Sequence, residues 1–242
     1  RDLVRSRGLG DVYKRQNFDW KRPIHFTQVY ILQNLGLTDY LQFDGYSYRL
    51  VPILTPYDRR VGEIGRIDPD VIYPLLMETF RYGNVSDPRV YVDNFIQYNL
   101  MASGAREAFA RAAKAFLRRG GAGDRDKAVA LLDAGLEKMP PAQIRYTFSN
   151  TFPFLEAYYA AGEMEKGDAL LLSYAENLMQ YLDYYLAFEG VQGDMVSGLI
   201  DDKLDELGQI YLLAGYAGRR DAVARLNDYY RTLLSLIHIS EP

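Results

Sequence analysis

Three stretches built on one plan constrain this chain more than any other feature. AFLRRGGAGDRDKAVALLD (115–133), AYYAAGEMEKGDALLLSY (157–174) and IYLLAGYAGRRDAVARLND (210–228) each run from an aromatic-containing helix end through a small-residue turn into a charged start and an Ala/Leu helix. Apolar residues at helical spacing on both sides of a tight turn bury their faces against each other, so each stretch predicts a helix pair. Gly123 and Ala128 stand five positions apart, as do Gly162 and Gly167, and such small residues let paired helices approach closely. With 242 residues, 48% of them hydrophobic, the chain is long enough for a sizeable core.

The plan resembles the tetratricopeptide pattern, in which helix-turn-helix units of about 34 residues end in Pro, as Pro140 ends the first pair here. The spacing is irregular, 41 residues from Ala128 to Ala169 and 53 from Ala169 to Ala222. The expected fold class is therefore mainly α, with tetratricopeptide-like antiparallel helical repeats behind a small α/β segment of about two strands. Expected helices cover 90–119, 124–138, 150–161, 164–188, 199–216 and 219–233, with a loop at 190–198. Phe95, Leu100, Ala105, Phe109, Ala112, Ala113 and Phe116 are expected to be buried on the first of these. Such stacks bury a continuous core and leave a concave face of the kind used for peptides or partner proteins.

The segment before the helices is rich in aromatic and β-branched residues. Residues 22–30 partly alternate, and Pro23 suits the first position of a strand. Residues 46–53 alternate better and predict a second strand, while 35–41 read as a short helix or a turn around Gly36. Asp68-Pro69 predicts a helix start, and Pro74 kinks the helix or delays it.

Both ends of the chain resemble translated sequencing-adapter sequence. DVYKRQ (11–16) and LSLIHI (234–239) can be encoded by the two strands of one transposase-end sequence. Residues 1–16 and 234–242 are therefore expected to be adapter-derived, leaving 17–89 as a small α/β region and 90–233 as the helical-repeat region. The two ends carry five bases (Arg1, Arg5, Arg7, Lys14, Arg15) and three acids (Asp2, Asp11, Glu241), so the formal net charge moves from −4 to −6 without them.

Composition excludes several classes of chemistry. With no Cys there is no disulfide, thiolate metal site or cysteine nucleophile. A net acidic chain is a poor general nucleic-acid binder. No GxGxxG follows a strand and no GK[ST] occurs, so the glycines form no phosphate loop. His25 alone makes neither a metal site nor half of a triad. No catalytic residue, cofactor site or metal site is expected.

WKRPIHF (20–26), YLQFDGYSYRLVPI (40–53), FRYGN (80–84) and VYVD (90–93) follow one another in order. This series resembles the C-terminal soluble region of the bacterial DUF2723 family, with His25 standing where that family usually has Tyr. Those proteins are large multi-spanning membrane proteins regarded as relatives of protein O-mannosyltransferases with a GT-C architecture. The resemblance implies a noncatalytic, extracytoplasmic accessory region on the periplasmic side of the bacterial inner membrane. It would pack on the membrane-embedded remainder of its chain, where catalysis would reside, and position acceptor protein. The alternative is a free-standing tetratricopeptide-like adaptor that binds a protein partner. A soluble sugar-acting enzyme is a third class, and it would require paired carboxylates facing a cleft.

Several residues stand out as interaction candidates. Trp20, Lys21 and Arg22 suit a membrane interface, or serve as a core anchor with two solvated charges, with Pro23 beside them. Tyr48 and Arg49 lie in the second motif, and Arg49 binds an acidic ligand group or pairs with a local acid such as Asp44. Tyr158, Tyr159, Tyr184 and Tyr185, with Tyr181, Tyr229 and Tyr230, fill between helices or line a sugar- or peptide-binding face. Asp201, Asp202, Asp205 and Glu206 form the densest acidic cluster, read either as a cation site or as the first turn of a helix.

Overall fold

The computed structural model describes residues 22–29, 32, 35–55, 57, 63–97 and 104–239, with the backbone alone from 234 onward. It is mostly helical with a small three-stranded antiparallel sheet near the N-terminus. The chain divides into two compact units, residues 1–68 and 69–242.

The first unit carries the sheet. Strands β1 (His25–Phe26), β2 (Leu41–Phe43) and β3 (Tyr48–Leu50) lie in the order β1-β3-β2. His25 pairs with Arg49, and Leu41, Gln42 and Phe43 pair with Leu50, Arg49 and Tyr48. Asp44-Gly45 makes the tight β2–β3 connection, where Gly45 has φ 96° and the Asp44 N–H donates to the Ser47 carbonyl at 2.9 Å. The expected pair of strands is present but short, and β2 is an addition. Leu41, Gln42 and Phe43 are all buried, so the alternation that marks a half-buried strand is missing there. Before β2, residues 38–40 form a 3-10 turn.

The second unit begins with α1 (Pro69–Pro74), which widens into a π-helical turn over Leu75–Thr79. Pro74 provides no N–H for the ladder, and the wider turn carries the chain past it before Phe80 turns extended. Of the long helix expected from residue 90, residues 94–97 and 104–119 are helical, 91–93 are not, and 98–103 lie outside the described residues. Asp93 Oδ1 accepts the Phe95 and Ile96 N–H groups at 2.8 and 3.0 Å and caps the helical turn at 94–97, and α2 is Arg106–Arg119. Phe95 is 66% exposed rather than buried, and Leu100 lies outside the described residues.

The remaining helices are α2 (Arg106–Arg119), α3 (Asp124–Lys138), α4 (Phe148–Ala160), α5 (Met164–Leu186), α6 (Gly190–Tyr216) and α7 (Arg220–Ile239). Helix α2 packs on α3 and α4, and α5 packs on α4, α6 and α7. Gly120 and Gly123 turn α2 into α3, with φ 65° and 76°. The expected close approach is real at Gly167. A Cβ there would meet Tyr159 Cε1 at 2.5 Å, so only glycine lets α4 and α5 meet at that distance.

Successive turns are tied together by ions. Arg125 at the start of α3 donates to the Ala161 carbonyl at 2.6 Å and to Glu163 at 2.8 Å in the next turn. Arg219 before α7 grips Asp168 at the start of α5 through Nε and Nη2, the shortest contact being 2.6 Å.

One expectation about the helices fails. The loop expected at 190–198 is the first part of α6, which begins at Gly190 and runs unbroken. Gly190, Gly193 and Gly198 lower helix propensity, yet the helix runs through them although its buried side chains begin only at Leu207. Asp201, Asp202, Asp205 and Glu206 consequently lie in the middle of α6 and not in its first turn. Among the described residues no group of three or more His, Asp or Glu side chains can hold a metal ion. No described helix is long and apolar enough to cross a membrane.

Candidate functional site

A cleft of about 630 Å³ opens in the helical unit. Asn94 and Gln97 form one side, and 145–149 at the entry to α4 form the next. Tyr181 and Tyr185 of α5 face Leu199, Asp202, Lys203 and Glu206 of α6. A capping box fixes the α4 entry. The Thr147 hydroxyl accepts the Asn150 N–H at 3.3 Å, while Asn150 Oδ1 accepts the Thr147 N–H at 3.0 Å. That box places Tyr146 and Phe148 on either side of Thr147.

The cleft walls are aromatic. Tyr181 stacks on Tyr185 with ring centroids 6.0 Å apart, and Phe148 stacks on Phe152 at 4.6 Å. Tyr146 meets Tyr174 edge-on at 5.6 Å and shares a hydrogen bond with Ser173 Oγ at 3.1 Å. The floor is charged but internally compensated. Lys203 Nζ donates to Glu206 Oε1 at 2.7 Å and sits 5.7 Å from the Tyr181 ring centroid. The Tyr174 hydroxyl donates to Glu206 Oε2. Burial, reinforced by that carboxylate, pushes the Tyr174 hydroxyl well above the ordinary tyrosine range, so it stays a hydrogen-bond donor.

Two charges at the cleft are uncompensated. Arg145 and Asp202 are exposed and make no ion pair among the described residues. Gln97 donates through Nε2 to the Val92 carbonyl at 2.8 Å, and its buried Oε1 accepts no hydrogen bond among the described residues. The arrangement offers stacking faces and one exposed charge of each sign.

The residues singled out in the sequence are scattered. Trp20 and Lys21 lie outside the described residues, and Arg22 and Pro23 are exposed. Tyr48 packs its ring against Phe43 at 5.1 Å. Arg49 Nε stands 3.0 Å from the buried Asp44 carboxylate, so a local acid occupies the guanidinium. Tyr158 and Tyr159 are buried in the stack. Their hydroxyls donate to Asp133 and Asp168, each at 2.9 Å, which ties α4 to its neighbours. Tyr185 lines the cleft, and Tyr184 lies beside it, 61% exposed and edge-on to Phe188 at 5.2 Å. Tyr146, Phe148, Gln97 and Leu199 went unrecognised in the sequence. They come from separate segments and share no motif. The run FRYGN lines a second, more open cavity of about 430 Å³ beside the end of α3.

Fold and cleft together define a mostly α-helical protein whose stacked helices carry an aromatic-walled cleft. Residues 15–71 match the family model described as TMEM260-associated domain 2. This finding overturns the DUF2723 resemblance. WKRPIHF and YLQFDGYSYRLVPI both fall inside the matched span, and the family they match is a different one. The cleft lies outside the matched residues. No curated protein and no solved structure matches the chain.

Proposed function

We propose that the helical unit is a protein-interaction module whose cleft takes a segment of a partner chain. One observation carries the reading. Tyr146 and Phe148 from the α4 entry and Tyr181 and Tyr185 from α5 converge from two segments on one cleft of about 630 Å³, the size of an ordinary ligand site. Aromatic walls supply contact area at low conformational cost, and Arg145 and Asp202 supply the charged contacts that fix orientation. The transferase setting rested on the DUF2723 resemblance and is left without support by its correction.

Selection of displayed random peptides on the whole chain tests the reading. The expected result is a shared motif with an aromatic or large apolar anchor. Tyr185→Ser and Leu199→Ser, each checked for retained helicity, should weaken the selected peptides about tenfold. Selection without a shared motif, or peptides indifferent to both substitutions, overturns it.

A further inference from the structure

The hairpin of α5 and α6 extends the cleft into a surface that the fold itself does not use. The buried residues of α6 are Leu207, Ile210 and Ala214, all in its C-terminal half. Its first half nevertheless carries Val191, Met195 and Leu199, four residues apart and so on one face. Val191 and Met195 are 76% and 79% exposed. Leu199 continues the same face into the cleft, and Asp202 and Glu206 follow at similar spacing. This is the i, i+4, i+8 pattern of a helix that packs against another helix, and nothing in the described chain covers it.

The charge on this hairpin is one-sided. Between Lys166 and Arg219 the only base is Lys203, and Lys203 is held by Glu206. Asp183, Glu189, Asp194, Asp201, Asp202 and Asp205 are all exposed, and none makes an ion pair among the described residues. A second copy of the chain would bring these acids against their own kind. Anionic lipid and nucleic acid are repelled for the same reason. The complementary occupant has apolar anchors at helical spacing and Lys or Arg around them.

We propose that the α5–α6 hairpin docks a basic amphipathic helix of a partner protein, with apolar side chains over Val191, Met195 and Leu199 and Lys or Arg side chains against the flanking acids. The proposal rests on the reading of the helical unit as an interaction module and names the chemistry of the partner. Helix-in-groove recognition works this way, through anchors on one face and charges that set partner choice.

The test uses the whole chain and three labelled synthetic helices of about 14 residues that share a Leu face, with Lys, Gln or Glu on the polar face. Fluorescence anisotropy should show the Lys helix binding at least about tenfold tighter than the Gln helix, with affinity falling as salt rises. Val191→Ser with Met195→Ser should remove that binding. Leu212→Ser with Tyr216→Ser, at another exposed apolar pair on the same helix, should leave it intact. Asp194→Asn with Asp201→Asn should flatten the salt dependence. If the Gln or Glu helix binds as tightly and depends equally on Met195, the basic partner is overturned while the interaction module stands. If the Lys helix is indifferent to V191S/M195S, or if none of the three binds, the hairpin is not the docking surface, and peptide selection on the cleft decides the broader reading separately. Dimerisation of the chain that V191S/M195S abolishes also overturns the proposal, in favour of a second copy.

Discussion

Arg106 is the residue on which the first helix pairs converge. It is fully buried at the start of α2. Its guanidinium donates to the Met139 carbonyl at the end of α3, to the Ile144 carbonyl at 2.7 Å and to Asn150 Oδ1 at 3.3 Å. Among the described residues no carboxylate pairs with it. The negative end of the α3 dipole and two further oxygens take that part instead. Burial pushes its pKa down to about 10, so it remains charged at neutral pH. Asn150 also completes the capping box that shapes the cleft, so one buried cation links the α2–α3 pair to the α4 entry. Arg106→Ala would take the guanidinium donors from the buried Met139 and Ile144 carbonyls and leave a void beside them, while Asn150 Oδ1 keeps the Thr147 N–H. A loss of about 3 kcal/mol or more in urea unfolding is expected, with a smaller loss for Arg106→Lys, which keeps charge and part of the donor set.

At the scale of elements, the turn between α2 and α3 is held by Arg119 and Asp124. The guanidinium meets both carboxylate oxygens at 2.7 Å, and the Gly121 N–H adds a bond at 2.9 Å. Arg119 therefore holds the Asp124 carboxyl well below its usual 3.8, at about 2. Between these two values the unfolded chain binds a proton that the folded chain does not, so stability rises with pH across that window. The contribution is fully present above 3.8 and is lost as pH falls toward about 2. Thermal unfolding followed by circular dichroism should show this acid limb, and Asp124→Asn should flatten it. The Gly-rich turn with its flanking Arg and Asp was legible in the sequence, as were the Ala/Leu helices on both sides, because local spacing dictates them. The strand β2 and the first half of α6 were not. Three consecutive buried residues show no alternation, and the glycines at 190, 193 and 198 read locally as a loop although the helix runs through them. The cleft was legible only through Tyr181, Tyr185, Asp202 and Glu206, since Gln97, Tyr146 and Leu199 meet by tertiary packing alone.

For the helical unit as a whole, stability is distributed by neighbour contacts, as in other stacked-hairpin architectures. Helices α2 to α5 supply most of its buried side chains, including Phe109, Phe116, Leu131, Phe154, Leu171 and Tyr174. Helix α6 is longer than its buried contacts require. It has 27 residues, yet its buried side chains all fall from Leu207 onward. The two halves of one continuous helix therefore rest on different supports. Amides at 207–216 open only when the α5–α7 packing opens, whereas those at 191–204 are released by fraying of the hairpin alone. Local opening of that kind has a free energy well below that of global unfolding. Native-state hydrogen exchange should show amides in 191–204 exchanging about ten- to a hundredfold faster than those in 207–216. A partner helix seated over Val191 and Met195 should narrow that gap, because it gives the first half of α6 the apolar contacts that the chain itself leaves open. Equal protection along the whole of α6 in the free chain would mean that the exposed apolar face contributes to folding and is not held in reserve for docking.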